Sequence, residues 1–415
     1  MNTVHATKFS EGLKQSIVIS IWFMFLTFPI IVIRVNTIEN VVEWQWMNMI
    51  YVGCGSFVMS FLWRYFLDKD LIKKKPFATE GEESRPLVQR ILGKRRINLT
   101  TLGIFAAVAV IFPFVFSTYQ TSIMTTALMY VVLGLGLNIV VGQAGLLNLG
   151  YVAFYAAGAY TYALLYQHFG FGFWVALPLG ALAATLLGIL LALPVLRLRG
   201  DYLAIVTLGF GEITRIILEN WNDFSFGPSG ISGIPRPGFF GMEMSIHHAT
   251  IYLYFLMIIL CLITIFVVNR LQNSRIGRAL IALREDEIAC QAMGIDKTRI
   301  KLTAFALGST WAGIVGVIFA AKTTFVNPGS FTFLESAMIL SIVVLGGMGS
   351  ITGIIIGALL LILLPEYLRA FSDYRMLLFG IIMVLMMIFR PQGIIPGKRR
   401  TYEFHREDAE SKKRA

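Results

Sequence analysis

Long apolar stretches alternate with shorter polar ones along almost the whole chain. The first two cover about residues 17–33 and 47–67. Further stretches follow at about 99–117, 122–141, 150–167, 174–196, 202–219, 249–268, 302–321, 334–346, 350–371 and 374–390. Most come close to the roughly 20 apolar residues that an α-helix needs to cross a bilayer core about 30 Å thick. The pattern predicts an all-α fold, a polytopic transmembrane helical bundle with about ten core spans plus a two-helix N-terminal extension. The first stretch runs into Asn36-Thr37-Ile38-Glu39 rather than a small-residue cleavage site, so it reads as a retained span and not a signal peptide. A short acidic loop with Glu39 and Glu43 is expected between the first two spans.

Composition supports this reading. The 415 residues are 56% hydrophobic and 14% charged, whereas soluble domains run at about 45–50% and about 25%. Too little polar surface remains to cover a water-soluble body, so lipid is the expected solvent for the excess.

Charge then orients the spans. The net charge of +11 suits either an anionic partner such as nucleic acid or an excess of Lys and Arg on cytoplasmic loops. The basic residues cluster between apolar stretches and form no basic face interleaved with aromatics, which favours the second reading and excludes a nucleic-acid partner. The polar linker 68–98 holds Lys69, Lys73, Lys74, Lys75, Arg85, Arg90, Lys94, Arg95 and Arg96 and belongs in the cytoplasm. Ten crossings after it place three more basic segments on that side: Arg197 with Arg199, Arg270 to Lys301, and the tail beyond Arg390. The segment 220–248, with Arg236 its one Lys or Arg, falls outside. Both termini are therefore expected in the cytoplasm. The linker, with Pro76, Gly81 and Pro86, separates an extension (1–98) from a core (99–395), and a basic tail (396–415) follows.

Soluble-enzyme chemistry is not indicated. Three cysteines and five histidines are scattered without metal-ligand or disulfide spacing. No GxxxxGK[ST] loop occurs, so ATP hydrolysis of that kind must come from another chain. No set of nucleophile, base and orienting group stands out. No catalytic residue, metal or cofactor is expected.

Four segments could carry function. Residues 273–301 read NSRIGRALIALREDEIACQAMGIDKTRIK. Asn273 or Ser274 can cap a helix there, and Gly294 can end it in the left-handed conformation. Ile276, Ala279, Leu280 and Leu283 form an apolar stripe, with Arg278, Arg284, Glu285 and Asp286 on the polar side. Such a helix can dock into a groove of a soluble partner or lie on the bilayer surface among headgroups. Residues 134–150, GLGLNIVVGQAGLLNLG, place Asn138, Gln143 and Asn148 among five glycines at membrane depth. The glycines suit close helix packing, while a broken helix would lend polar groups to a zwitterionic substrate. Glu212 and Arg215 lie three apart and can pair or line a path. Residues 343–353, VVLGGMGSITG, suit close packing or a flexible turn.

Several of these segments resemble one family. They are Gly134–Tyr160, LRLRGDYLAIVTLGFGEITRI (196–216), GRALIALREDEIACQAMGIDKTRIKLTAF (277–305), Val343–Ser350 and RPQGIIP (390–396). Together they are similar to permease subunits of branched-chain amino-acid ABC importers, in particular those with a two-helix extension before the core. The resemblance covers essentially the whole chain in order. It implies a bacterial inner-membrane location, a second homologous permease, two ATP-binding subunits, and a periplasmic binding protein delivering leucine, isoleucine or valine. It also implies that Arg284, Glu285, Asp286, Glu287 and Gly294 belong to the segment coupling to the ATPases. The match to the EAA-type loop of other ABC permeases is loose, since Gly294 fits but no proline follows in place. Related permeases for urea or short amides share the core pattern. An ion-driven transporter would need more intramembrane carboxylates than Glu212, and a channel would need a selectivity filter.

Overall fold

In the computed structural model, residues 109–198, 200–238 and 245–367 are described, with positions 24, 33–36, 41–44, 46–47, 49, 53, 380, 384 and 393–395. Apart from those positions, the expected spans 17–33, 47–67 and 374–390, the start of 99–117, the linker and the tail lie outside the described residues.

The chain forms two compact units, Met1–Phe105 with Leu368–Ser372, and Ala106–Tyr367 with Asp373–Ala415. In the first unit, β1 (Ile33–Asn36) pairs antiparallel with β2 (Val41–Trp44), with Arg34 opposite Glu43. The stretch expected as a short acidic loop thus includes paired strand residues. The strands, IRVN and VVEW, are rich in β-branched residues that favour extended backbone.

The second unit is helical. Its central element, α1 (Thr118–Asn138), starts at a capping box. The Gln120 N–H donates to Ser117 Oγ at 3.3 Å, and the Ser117 N–H donates to Gln120 Oε1 at 3.2 Å. The helix passes into one π-turn, Ile139–Gln143, and then breaks. Next come α2 (Val152–Phe169), α3 (Phe173–Val195) and α4 (Asp201–Asn220). A two-residue strand β3 (Ile231–Ser232) precedes α5 (Ile246–Gln272). Then follow α6 (Arg275–Glu285), α7 (Glu287–Ala292) and α8 (Lys297–Thr323). Finally β4 (Phe325–Val326) pairs with β3, and α9 (Phe333–Gly346) and α10 (Ile351–Tyr367) close the unit.

Among the described residues, five helical segments are long and apolar enough to cross a membrane: Thr118–Gln143, Phe173–Val195, Ile246–Gln272, Lys297–Thr323 and Pro328–Gly346. They match five of the expected core spans. Helix α8 packs chiefly against α3 and α2, and α1 against α5, α10, α8 and α9. At the α2–α8 contact, a Cβ on Gly158 would collide with the Gly313 carbonyl. Without a hydrophobic drive between helices in lipid, this backbone approach supplies the dispersion contacts that hold them. The Tyr151 hydroxyl adds a bond to the Gly308 carbonyl at 2.9 Å.

Candidate functional site

The three expected amides lie in and just after the end of α1, where the helix breaks, and all three are buried. In the π-turn the Ala144 N–H reaches back to the Ile139 carbonyl, five residues away, at 3.3 Å. Such a turn shifts the backbone pattern and leaves carbonyls open to outside partners. Asn138 and Asn148 are fully buried and Gln143 is 2% exposed. Asn138 Oδ1 accepts from the Gly349 N–H at 2.8 Å, tying α1 to the glycine turn between α9 and α10. Asn148 Oδ1 accepts from the Gly150 N–H at 3.1 Å. The remaining side-chain polar atoms of these amides, Asn138 Nδ2, Gln143 Nε2 and Oε1, and Asn148 Nδ2, have no hydrogen-bond partner. Each such orphan costs about 1–3 kcal/mol. Four of them around one break mark a polar site that packing alone does not explain.

Two predicted features there take a definite form. The segment 134–150 is a broken helix, and 343–353 holds the turn 347–350, with Gly347 and Gly349 at positive φ. That turn is also held by Gln272 Nε2, which donates to the Gly349 carbonyl at 3.1 Å. The motif ending RPQGIIP reaches the same place, since the Ile394 N–H donates to the Leu345 carbonyl at 2.8 Å.

The segment 273–301 differs from the single helix expected. Ser274 caps α6 through the Gly277 N–H at 3.1 Å. The helix stops at Asp286, whose backbone is extended and whose carboxylate accepts from the Ile288 and Ala289 N–H groups at 2.7 and 3.0 Å. Asp286 is therefore a cap between two helices, because its short acceptor satisfies the first orphan donors of α7. Gly294 has φ +79 at the end of α7, as the sequence implied. Leu280 and Leu283 are buried, but Ile276 is 42% exposed, so the apolar stripe is narrower than expected.

Arg284 and Glu287 turn toward the rest of the unit. Arg284 Nη1 donates to the Gly142 carbonyl, within the π-turn, at 2.5 Å. Its stem lies against Gly145, where φ is +70 and any Cβ would crowd it. Glu287 Oε1 lies 2.9 Å from Lys301 Nζ and 3.7 Å from Lys297 Nζ. Lys301, at 2% exposure, also donates to the Leu196 carbonyl at 3.3 Å. Arg284, Glu287, Lys301, Gly145 and Asp201 border a cavity of about 350 Å³. Along α6, α7 and the residue that follows them, Ile281, Ile288 and Met293 are exposed, the last at 81%.

Glu212 and Arg215 stand apart from this cluster. Arg215 Nε lies 2.9 Å from Glu212 Oε2, and its Nη1 lies 2.7 Å from Glu219 Oε2. The three form a half-exposed charge strip along α4, the pairing that i, i+3 and i, i+4 spacing allows.

Sequence reasoning passed over the opposite end of α1. From there to mid-helix, Tyr119, Ser122, Thr126 and Tyr130 share one partly open face. The Tyr119 hydroxyl bonds Glu366, and the Tyr130 hydroxyl bonds Glu335. Lys322 Nζ donates to the Ser122 carbonyl at 3.0 Å and to Thr126 Oγ1. The available signal was charge at the margin of apolar runs: Lys322 directly follows 302–321, and Glu335 sits inside 334–346. Among the described residues, no group of three or more His, Cys, Asp or Glu is placed to hold a metal ion.

Comparison with known proteins bears on this arrangement. Residues 119–387 match the family model described as branched-chain amino acid transport system / permease component. The chain is 46% identical over 379 residues to the high-affinity branched-chain amino acid transport system permease protein LivM of Salmonella typhimurium. That alignment covers 86% of this chain and 87% of the relative. The Escherichia coli LivM matches with the same identity and coverage. The Escherichia coli permease LivH is 24% identical over 286 residues, covering 64% of this chain and 91% of the relative. No solved structure matches.

Proposed function

Since the chain belongs to the branched-chain amino-acid transport permease family, we propose that it is the membrane-spanning permease subunit of an ATP-driven importer for leucine, isoleucine and valine. The proposed complex pairs it with a second, homologous permease, which the similarity to LivH supports. Two ATP-binding subunits sit on the cytoplasmic side, and a periplasmic binding protein delivers the substrate. The chain itself is non-catalytic and hydrolysis belongs to the partners. It resides in a bacterial inner membrane with both termini in the cytoplasm, and its first two spans form an extension before the core.

The observation that carries this reading is that α6 and α7 leave apolar side chains open to a partner while being bonded inward. Ile281, Ile288 and Met293 are exposed. Arg284 and Glu287 are bonded to the broken end of α1 and to buried Lys301. ATP binding would move the partner groove, α6 and α7 would follow, and Arg284 would pull on the π-turn. Glu285, Asp286 and Gly294 shape the docking segment, while Arg284 and Glu287 transmit its motion. The buried amides Asn138, Gln143 and Asn148 lie where that motion arrives, and the Glu212–Arg215 pair flanks the path on α4. An aliphatic path separates leucine from valine by only about 1–3 kcal/mol per methylene, so selectivity rests mainly with the binding protein.

The deciding experiment is uptake of labelled leucine into proteoliposomes holding the permease pair and the ATPases. Uptake that requires both ATP and the binding protein supports the reading. Uphill uptake driven by a proton or sodium gradient without the ATPases overturns it.

A further inference from the structure

A cavity of about 220 Å³ opens where three candidate spans end. Helices α1 and α5 begin on it, at Thr118 and Ile246, and α8 reaches it at Lys322, next to its last residue. Two cations, Lys322 and Arg236, border it, and among the described residues no Asp or Glu does. Lys322 Nζ has three donors and gives two to neutral atoms, the Ser122 carbonyl at 3.0 Å and Thr126 Oγ1. Arg236 is half-buried and takes part in none of the ion pairs or hydrogen bonds among the described residues. Glu366 meets the border at the neutral Tyr119 hydroxyl. The backbone before Arg236 is tied down beside the end of α8. Ile231 pairs with Val326, and the Ile234 N–H donates to the Thr324 carbonyl at 3.2 Å. The Tyr162 hydroxyl of α2 donates to the Pro235 carbonyl at 2.9 Å. The fold thus fixes two like charges on one cavity, and the positive dipole ends of α1 and α5 add to their field. Like charges disfavour each other, and charge at the edge of lipid is costly without a counter-ion. A bound anion relieves both costs.

We propose that Arg236 and Lys322 bind the phosphate of an anionic membrane phospholipid. The ends of spanning helices lie at the depth of lipid headgroups, and basic pockets between such helices suit those groups. The Arg236 guanidinium presents a planar fork of donors that matches two phosphate oxygens, and the third N–H of Lys322 is left for another. Phosphatidylglycerol brings one negative charge and no cation. Phosphatidylethanolamine follows its phosphate with an ammonium, which a border of two cations and no carboxylate disfavours. The same charge balance disfavours a zwitterionic amino acid here. Apolar surface for acyl chains lies beside the cavity. Ile246 and Leu253 are on its wall, and Phe112 stacks on Tyr254, the residue after Leu253, at 6.0 Å. Close to Phe112 in sequence, Phe114 and Val115 are exposed. This inference does not depend on the transport reading above.

The test uses the full-length chain, purified in detergent and stripped of lipid, with binding read by native mass spectrometry. Phosphatidylglycerol and phosphatidylethanolamine of identical acyl chains are titrated in turn. The wild type is expected to bind phosphatidylglycerol about tenfold tighter. Arg236→Gln and Lys322→Met are each expected to remove most of that preference and to leave phosphatidylethanolamine binding unchanged. Arg236 bonds no described residue, so Arg236→Gln should fold, and it decides alone if Lys322→Met does not. Equal affinity of the wild type for the two lipids overturns the site. Unchanged phosphatidylglycerol affinity in Arg236→Gln also overturns it, and leaves the two cations to an acidic partner protein. Glycerol 3-phosphate offers a phosphate without acyl chains. If it binds the wild type as tightly as phosphatidylglycerol does, the ligand is a soluble phosphate and the lipid is overturned.

Discussion

The two ends of α1 are both gripped by charged side chains from elsewhere in the fold, but by different means. Near Thr118 the helix is regular and its backbone groups are largely used within it. From there to mid-helix, neighbouring charges bond mostly its side chains: Glu366 on Tyr119, Lys322 on Thr126, Glu335 on Tyr130. Near Gln143 the π-turn frees backbone, and Arg284 bonds the Gly142 carbonyl directly. The first end is partly open, and the second is buried with orphaned amides. A regular helix end offers side chains that a ligand can exchange with. A bulged end offers backbone, and a pull on backbone moves the whole helix.

The contrast breaks most sharply at Glu287. Replacing it with Ala leaves Lys301 buried without its carboxylate, a cost of about 3–5 kcal/mol. Thermal melts of the purified protein should show a clear fall in stability, and Glu287→Ala with Lys301→Met should recover most of it. A variant that melts like the wild type would mean that this pair does not hold α7 to α8.

Arg284→Ala removes a charged hydrogen bond worth about 1.5–3 kcal/mol. Its main effect should be on coupling: stimulated ATP hydrolysis continues while leucine uptake falls at least fivefold. Equal loss of both activities would point instead to lost ATPase docking.

Asn138→Leu deprives the Gly349 N–H of its acceptor, at about 1–3 kcal/mol. Transport should suffer more than the amount of assembled complex recovered from membranes. Normal transport would return the amides to a packing role.

Ser274→Ala has the smallest effect, about 1 kcal/mol of cap energy. Hydrogen exchange should quicken at the first amides of α6, with little change along α1. Protection unchanged in α6 would show that tertiary contacts, not the cap, start this helix.

Much of the fold was legible because spans and caps are local. Apolar runs at 122–141, 174–196, 249–268 and 302–321 each correspond to a helix offset by only a few residues. Gly294 was readable because a left-handed helix end favours glycine. The candidate site was legible in part. Asn138, Gln143 and Asn148 stood out as amides in an apolar run, and the structure places them in and just after the broken end of α1. Lys322 and Glu335 did not stand out, because a charge at the edge of a run looks the same whether it anchors a helix or meets a ligand. Asp286 looked like one more polar residue of a continuous helix, since an internal cap and an exposed acid share the same one-dimensional pattern.

By itself the sequence determined that the chain is a multi-helix membrane protein and where most described spans run. Those are sums of transfer energy and terminal capping over neighbouring residues. Only the tertiary structure decided that Arg284 meets a carbonyl 142 residues away, that α1 ends in a π-turn, and that Thr126 and Tyr130 carry opposite charges from two other helices. Such contacts depend on how closely the glycine-lined helices approach and turn about one another, and no local window of sequence contains that distance.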